Sequence, residues 1–253
     1  MTSRAMQLEG KQSILSALAA RKRKFEIIFL KAGASPERFT EILEQAERQI
    51  IPVKFQTAEE LDRQAHGKSH GGIIALCSRK KLNTLSDLSE IIAHATGAPL
   101  LLLLEGVEDA QHLGYIIRTA EALGAQAVLL KKHLWDFDET AVTRASSGAF
   151  ERLPIVKFSQ ADEIKVLKKY DIKLWGCLAN ARNSMYEIDF TKPVALAVGG
   201  EKRGLSGKTR QKCDGFLRIP MFAETATSLS LTHAACLLLG EAARQRWLQH
   251  TVS

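Results

Sequence analysis

The chain has 253 residues, 45% hydrophobic and 25% charged, with 35 Lys and Arg against 28 Asp and Glu and a formal net charge of +7. These proportions exclude a wholly disordered chain, and the length admits one large domain or two of ordinary size. No apolar run approaches the ~20 residues of a bilayer span, the first residues lack the apolar core and cleavage site of a secretory signal, and Cys77, Cys177, Cys213 and Cys236 are too scattered for a disulfide framework or a zinc site, which suits reduced thiols in a cytoplasmic protein.

The spacing of Ile14, Leu15 and Leu18 predicts a first helix over 10–20, and Phe25 to Leu30 reads as a buried strand. Ser35-Pro36 opens a second helix with Pro36 at its first position and Phe39, Ile42, Leu43 and Ala46 on one face. Ile51 to Phe55 is a short strand, Thr57-Ala58-Glu59-Glu60 is a capping signal for a helix reaching Gln64, and Gly71 to Leu76 is a strand. This alternation makes a small α/β domain over 1–81. Residues 82–98 read as a linker carrying one short helix (Leu85, Leu88, Ile91, Ile92). A second domain, 99–253, starts with Leu100 to Leu104, a continuous apolar run of the kind expected in a central parallel strand. A helix over 113–123, strands at 127–130, 155–156, 174–178, 194–198 and 216–219, a helix over 162–169 and a last helix over 229–248 complete an open, doubly wound α/β domain.

Charge divides unevenly between the two. Residues 1–85 hold 15 Lys and Arg against 9 Asp and Glu, a balance of +6, while residues 86–253 balance to +1. The clusters Arg21-Lys22-Arg23-Lys24 and Arg79-Lys80-Lys81 carry much of the excess. A basic module beside a near-neutral one suggests that the first meets a polyanion such as RNA. The plainer alternative is solvated helix ends.

In open α/β sheets, ligands bind at loops on the carboxyl ends of strands. Four such loops stand out. The first runs from Glu105 to Gly114 and leads to Arg118, one helical turn beyond Gly114 and able to hold a phosphate; no G-x-G-x-x-G fingerprint is present. The second is Gly199-Gly200-Glu201-Lys202-Arg203-Gly204-Leu205, whose glycines let backbone approach a ligand. The third is Arg218-Ile219-Pro220-Met221, and the fourth, Thr227 to Ala235, opens the last helix with several hydroxyls.

Taken in order, these segments resemble the SpoU (TrmH-type) family of RNA ribose 2′-O-methyltransferases. The family's N-x-G-x-x-x-R-T-A motif is matched by His112-Leu113-Gly114 through Arg118-Thr119-Ala120, G-x-E-x-x-G-[LM] by Gly199, Glu201, Gly204 and Leu205, and I-P-M with S-L-N-V-S-x-A by Ile219-Pro220-Met221 and Ser228 to Ala234. Arg144 to Ala149 also looks like the family, and residues 7–77 resemble its L30e-like RNA-binding domain. The resemblance implies a SPOUT-type α/β fold with a parallel sheet and a C-terminal trefoil knot, a feature otherwise nearly absent from proteins. It implies S-adenosylmethionine as cofactor, RNA (ribosomal more than transfer RNA) as partner, a homodimer packed near the knot, and no metal or membrane. Leu178, Ala179, Gly199, Gly200, Glu201, Gly204, Ile219, Met221, Ser228 and Leu229 would cradle the cofactor. Arg118 would assist removal of the ribose proton through a phosphate contact or a dry site, since an arginine is a poor base at its usual pKa. Glu201, His112, Ser228 and Ser230 complete the expected catalytic group.

Two positions depart from the family. His112 and Ser230 stand where the motifs have Asn. Neutral His keeps both a donor and an acceptor and titrates in a useful range, whereas Ser has a shorter reach and is expected in the cofactor wall. These changes leave open an RNA-binding protein that has lost methyl transfer. An unrelated α/β enzyme acting on a small anion is a third reading. The low charge of the second domain suits a cofactor and one ribose, with the phosphates held largely by the first.

Overall fold

The computed structural model describes residues 6–66, 70–131, 137–159, 162–222 and 228–251. The chain divides into two compact units, Met1–Lys81 with Asp138–Arg152, and Leu82–Phe137 with Leu153–Ser253.

The first unit opens with β1 (Met6–Glu9), an edge strand that the sequence pattern did not reveal. Gly10, at φ +88°, turns the chain directly into α1 (Lys11–Ala20), which buries Ile14, Ala17 and Leu18. β2 (Phe25–Lys31) follows. The helix expected from Pro36 starts later: Pro36–Arg38 is a single 3-10 turn, and α2 spans Thr40–Arg48. Tertiary contacts set this turn, because the Arg38 guanidinium donates to the Gly71 carbonyl at 2.8 Å and lies 5.6 Å from the ring centre of buried Phe39. β3 (Val53–Gln56) leads to α3 (Ala58–Gln64). The expected capping box is present: the Glu60 backbone N–H donates to Thr57 Oγ1 and the Thr57 N–H donates to the Glu60 carboxylate. β4 is Ile73–Cys77. The sheet order is β1-β4-β2-β3, with only β2 and β3 parallel, and its core gathers Leu8, Ile14, Leu18, Ile28, Phe39 and Ile73.

The stretch read as a linker holds α4 (Leu85–Ala93), capped by Thr84 and Asp87. Its Leu88 and Ile92 are buried in the second unit's core with Leu101, Leu129 and Leu167. Next come β5 (Leu100–Leu104), α5 (Ala110–Ala122), β6 (Ala127–Lys131), α6 (Glu139–Ala145), α7 (Ala149–Arg152), β7 (Ile155–Phe158), α8 (Asp162–Lys169), β8 (Lys173–Cys177), β9 (Asn183–Ser184), β10 (Val194–Val198), α9 (Gly207–Arg210), β11 (Gly215–Arg218) and α10 (Leu231–Thr251). The strands of this unit form one sheet in the order β7-β6-β5-β10-β8-β11-β9, parallel at every pairing. β5 and β10 are buried throughout, which is why they read as unbroken apolar runs. Among the described residues, no helix is long and apolar enough to cross a membrane.

Helices α6 and α7 belong to the first unit although their chain neighbours belong to the second. Gly148, at φ +79°, lets α7 approach α1 so closely that a Cβ there would lie 2.2 Å from Ser16 Oγ. Arg23 ties them in. Its guanidinium makes a two-point ion pair with Glu151 at 2.9 and 2.7 Å and reaches Glu139 at 2.9 Å, with Arg23 and Glu151 side chains wholly buried. Lys80 is buried as well, donating to the Phe150 carbonyl with its ammonium 4.5 Å from the Phe150 ring centre. Each basic cluster therefore contributes one cation to the unit's interior and not to a surface.

Candidate active site

The loops that leave β8, β10 and β11 lie side by side because those strands are neighbours in the sheet. Together with the start of α10 they enclose a cavity of about 180 Å³. Leu178 and Ala179 come from the end of β8, Gly199, Gly200, Glu201 and Gly204 from the loop after β10, Ile219 and Met221 from beyond β11, and Ser228 and Leu229 from the approach to α10. All ten residues expected to cradle a cofactor are thus brought to one wall. Thr227 lies outside the described residues.

The loop after β10 is tightly folded. Gly204 N–H donates to the Gly200 carbonyl at 2.7 Å, and a Cβ on Gly199 would lie 2.1 Å from the Gly204 carbonyl carbon. A Cβ on Gly200 would come within 2.6 Å of the Gly106 carbonyl oxygen, so two loops meet backbone to backbone. A second cavity of about 230 Å³ adjoins the first, sharing Glu201 and Leu231 and adding Gly106, Asp109, His112 and Thr232. Glu201 stands exposed at their junction, with no hydrogen-bond partner among the described residues.

Glu105 holds this arrangement from below. Its carboxylate is buried at the end of β5 and accepts hydrogen bonds from Lys131 Nζ at 2.7 Å, from Thr209 Oγ1 at 2.6 Å, and from Ser206 through its N–H at 2.7 Å and its Oγ at 3.1 Å. Burial raises the carboxyl's pKa, but the bonds from Lys131, Thr209 and Ser206 outweigh it and hold the group below its usual range. One carboxylate thereby joins β5, β6 and the far end of the glycine loop. Sequence reading gave Glu105 no role; the only local signal is a carboxylate placed directly after five leucines.

His112 lies on the first turn of α5, whose N-cap is Asp109. The backbone N–H groups of His112 and Gln111 donate to the Asp109 carboxylate, and hold it below its usual pKa range. Arg118 is exposed on the same helix, lines neither cavity, and its side chain makes no hydrogen bond among the described residues. Ser230 is also absent from both walls. Its hydroxyl faces His233 Nδ1 at 2.6 Å and accepts the His233 N–H at 3.3 Å, so it caps α10.

These residues fit S-adenosylmethionine. Leu178, Ile219 and Leu229 offer apolar faces to an adenine, Gly199 and Gly200 bring side-chain-free backbone to the wall, and the Glu201 carboxylate suits a cationic sulfur.

Residues 99–240 match the family model of the SpoU rRNA methylases. The chain belongs to the SpoU rRNA methylase family. Residues 7–86 of this SpoU protein match a second model, described as RNA 2′-O ribose methyltransferase substrate binding. Among its relatives is the 23S rRNA (guanosine-2′-O-)-methyltransferase RlmB of Xylella fastidiosa, 34% identical over 98% of this chain and 100% of the relative. A crystal structure of an RNA 2′-O ribose methyltransferase matches with a TM-score of 0.76 at 27% identity, covering 97% of this chain and 90% of that one. The SpoU methyltransferase AviRb from Streptomyces viridochromogenes, solved with AdoMet bound, shares the fold with a TM-score of 0.78 at 23% identity, covering 96% and 91%.

Proposed function

We propose that this SpoU protein transfers a methyl group from S-adenosylmethionine to a ribose 2′-hydroxyl of ribosomal RNA, with a guanosine of 23S rRNA, the target named for the Xylella relative, as the specific substrate. The observation that carries the reading is the pair of cavities meeting at Glu201, one walled by the glycine loop and the other by His112. The first suits the cofactor, which supplies an electrophilic methyl on a cationic sulfur. The second leaves space for a ribose beside it. Attack is in line, so rate depends on how rigidly the chain positions both partners. The glycine loop, locked to Gly106 and tied to Glu105, provides that rigidity.

His112 takes the proton-handling role and Arg118 assists it indirectly. His112 lines the ribose cavity and, when neutral, accepts a proton from a 2′-hydroxyl. Arg118 lies outside both cavities, so its role is to grip an RNA phosphate or to act with a second copy of the chain. A homodimer is supported by Tyr115, Leu237, Trp247 and Leu248, which are exposed on α5 and α10. The first unit serves as the RNA-gripping domain, and the order β5-β10-β8-β11, in which later strands enter between earlier ones, supports the trefoil knot. Ribosomal RNA as substrate and four cysteines outside any disulfide agree with a cytoplasmic location. Ser230 caps a helix and faces no ligand wall, so its departure from the motif leaves the cofactor cavity intact.

The test is to map 2′-O-methylation across total RNA with and without this protein, and to titrate S-adenosylmethionine by calorimetry. One new methylated ribose in ribosomal RNA and measurable cofactor binding are expected. RNA binding without cofactor binding would favour a protein that keeps the fold and has lost transfer. Arg118→Ala is expected to abolish transfer while cofactor affinity stays near wild type; a variant that keeps most activity refutes the assigned role.

A further inference from the structure

The near-zero charge of residues 86–253 conceals a local concentration. Residues 202–212 hold five Lys and Arg and no Asp or Glu. Lys202 pairs with Glu108 at 2.8 Å, while Arg203, Lys208, Arg210 and Lys212 are exposed and form no ion pair among the described residues. Asp214, the next acid along, accepts the Leu174 N–H at 2.8 Å. Beside this segment lies an open groove of about 580 Å³, lined by Leu178, Asn180, Arg182, Asn183, Arg210 and Phe216. Leu178 is also part of the cofactor wall, so the groove begins where the cofactor cavity ends.

The groove is braced. The Arg218 guanidinium donates to the carbonyls of Ala181, at 2.7 Å, and Arg182, and Asn183 Nδ2 donates to the Phe216 carbonyl at 3.3 Å. The backbone that carries Arg182 is therefore held in place, and its side chain and that of Arg210 are the two exposed cations lining the groove. Two guanidinium groups in a groove that amide side chains also line suit phosphate and ribose oxygens, because an arginine fork meets a phosphate with paired hydrogen bonds. Half-buried Phe216 gives one aromatic surface against which an unstacked base can rest.

We propose that this groove is a second RNA grip, in the catalytic unit itself, that holds the phosphates of the strand flanking the target ribose. The proposal rests on the methyltransferase reading and amends the expectation that the first domain holds most of the phosphates. A strand whose ribose reaches the methyl must continue along the surface next to the cofactor wall, and this groove offers cations there.

The full chain is tested by filter binding of transcribed 23S rRNA across a sodium chloride series. Arg182→Gln with Arg210→Gln is expected to weaken binding at least tenfold and to lower the log–log salt slope by about 1.4 to 1.8, the value for two lost phosphate contacts. Cofactor affinity measured by calorimetry stays within twofold of wild type. Lys168→Gln with Lys169→Gln removes the same charge from exposed positions on α8 and is expected to change the slope little. An unchanged slope in the arginine variant, an equal loss in the lysine variant, or loss of cofactor binding with the arginines each overturns the groove. Wild-type protein that binds cofactor but no RNA overturns the broader reading as well.

Discussion

Glu105→Gln isolates the link between the end of β5 and the glycine loop. The substitution keeps the side chain's size and removes its charge. One carboxylate oxygen accepts from Lys131, Thr209 and the Ser206 hydroxyl, and the other accepts the Ser206 backbone N–H. A glutamine can keep its carbonyl oxygen toward the first set only by turning its NH2 group toward the Ser206 N–H. A donor then faces a donor, and leaving that backbone group unsatisfied costs about 1–3 kcal/mol. The Lys131 ammonium then meets a neutral oxygen in place of a carboxylate, which weakens that bond as well. Much of this loss falls on the segment that fixes Gly199 to Gly204, and each 1.4 kcal/mol that opens the binding-competent loop weakens cofactor affinity tenfold. Calorimetry is expected to show S-adenosylmethionine binding weakened at least thirtyfold, with urea unfolding still a single cooperative transition. Glu105→Asp is expected to recover part of the affinity. If Glu105→Gln binds the cofactor with wild-type affinity in a folded protein, the carboxylate does not hold the loop and the reasoning fails.

Gly199→Ala places a methyl 2.1 Å from backbone and is expected to reduce cofactor affinity more than a hundredfold, whereas Gly207→Ala, with open space around it, stays at wild type; the same calorimetric titration decides. Arg23→Met leaves Glu151 buried without its partner and is expected to cost about 3–5 kcal/mol in urea unfolding, while Arg23→Met with Glu151→Leu costs less than the single change. A double variant as unstable as the sum of the two single variants would contradict the pairing. Burial pushes the Lys80 ammonium down to about 7 from 10.5. The unfolded chain therefore binds more protons between those values, and stability rises with pH across that window. Lys80→Met is expected to flatten the rise, and a variant with the same pH dependence as wild type would show that Lys80 is not its source.

What could be read in advance depended on how far apart the partners stand in the chain. Leu100 to Leu104 announced a buried central strand, and Thr57 with Glu60 announced a helix start, because period and capping are local. β1 escaped notice because four residues show little alternation and its partner, β4, lies almost seventy residues away. The cluster Arg21 to Lys24 gave no sign of which cation turns inward, since Arg23 is selected by Glu139 and Glu151. Most cofactor-wall residues were named through the family motifs, whereas Glu105 was not, because its partners Lys131 and Thr209 lie 26 and 104 residues further on. The two exposed arginines of the groove are 28 positions apart in sequence and become neighbours only when the loops after β8 and β10 are placed.

The return of α6 and α7 to the first unit has a consequence for how the molecule is made. A ribosome delivers Arg23 128 residues before Glu151. Once Cys77 has been made the sheet β1-β4-β2-β3 has all its strands, yet until Glu139 and Glu151 follow its inward-turned arginine lacks both carboxylates, and the surface of α1 beside Ser16 lacks its cover. A nascent chain halted at residue 81 therefore carries a domain that is finished in topology and unfinished in energy. It becomes stable only after β5, α5 and β6 of the second unit have already emerged. The two units are consequently interleaved in time as well as in sequence, and neither is a cassette that a cut at residue 81 would release intact.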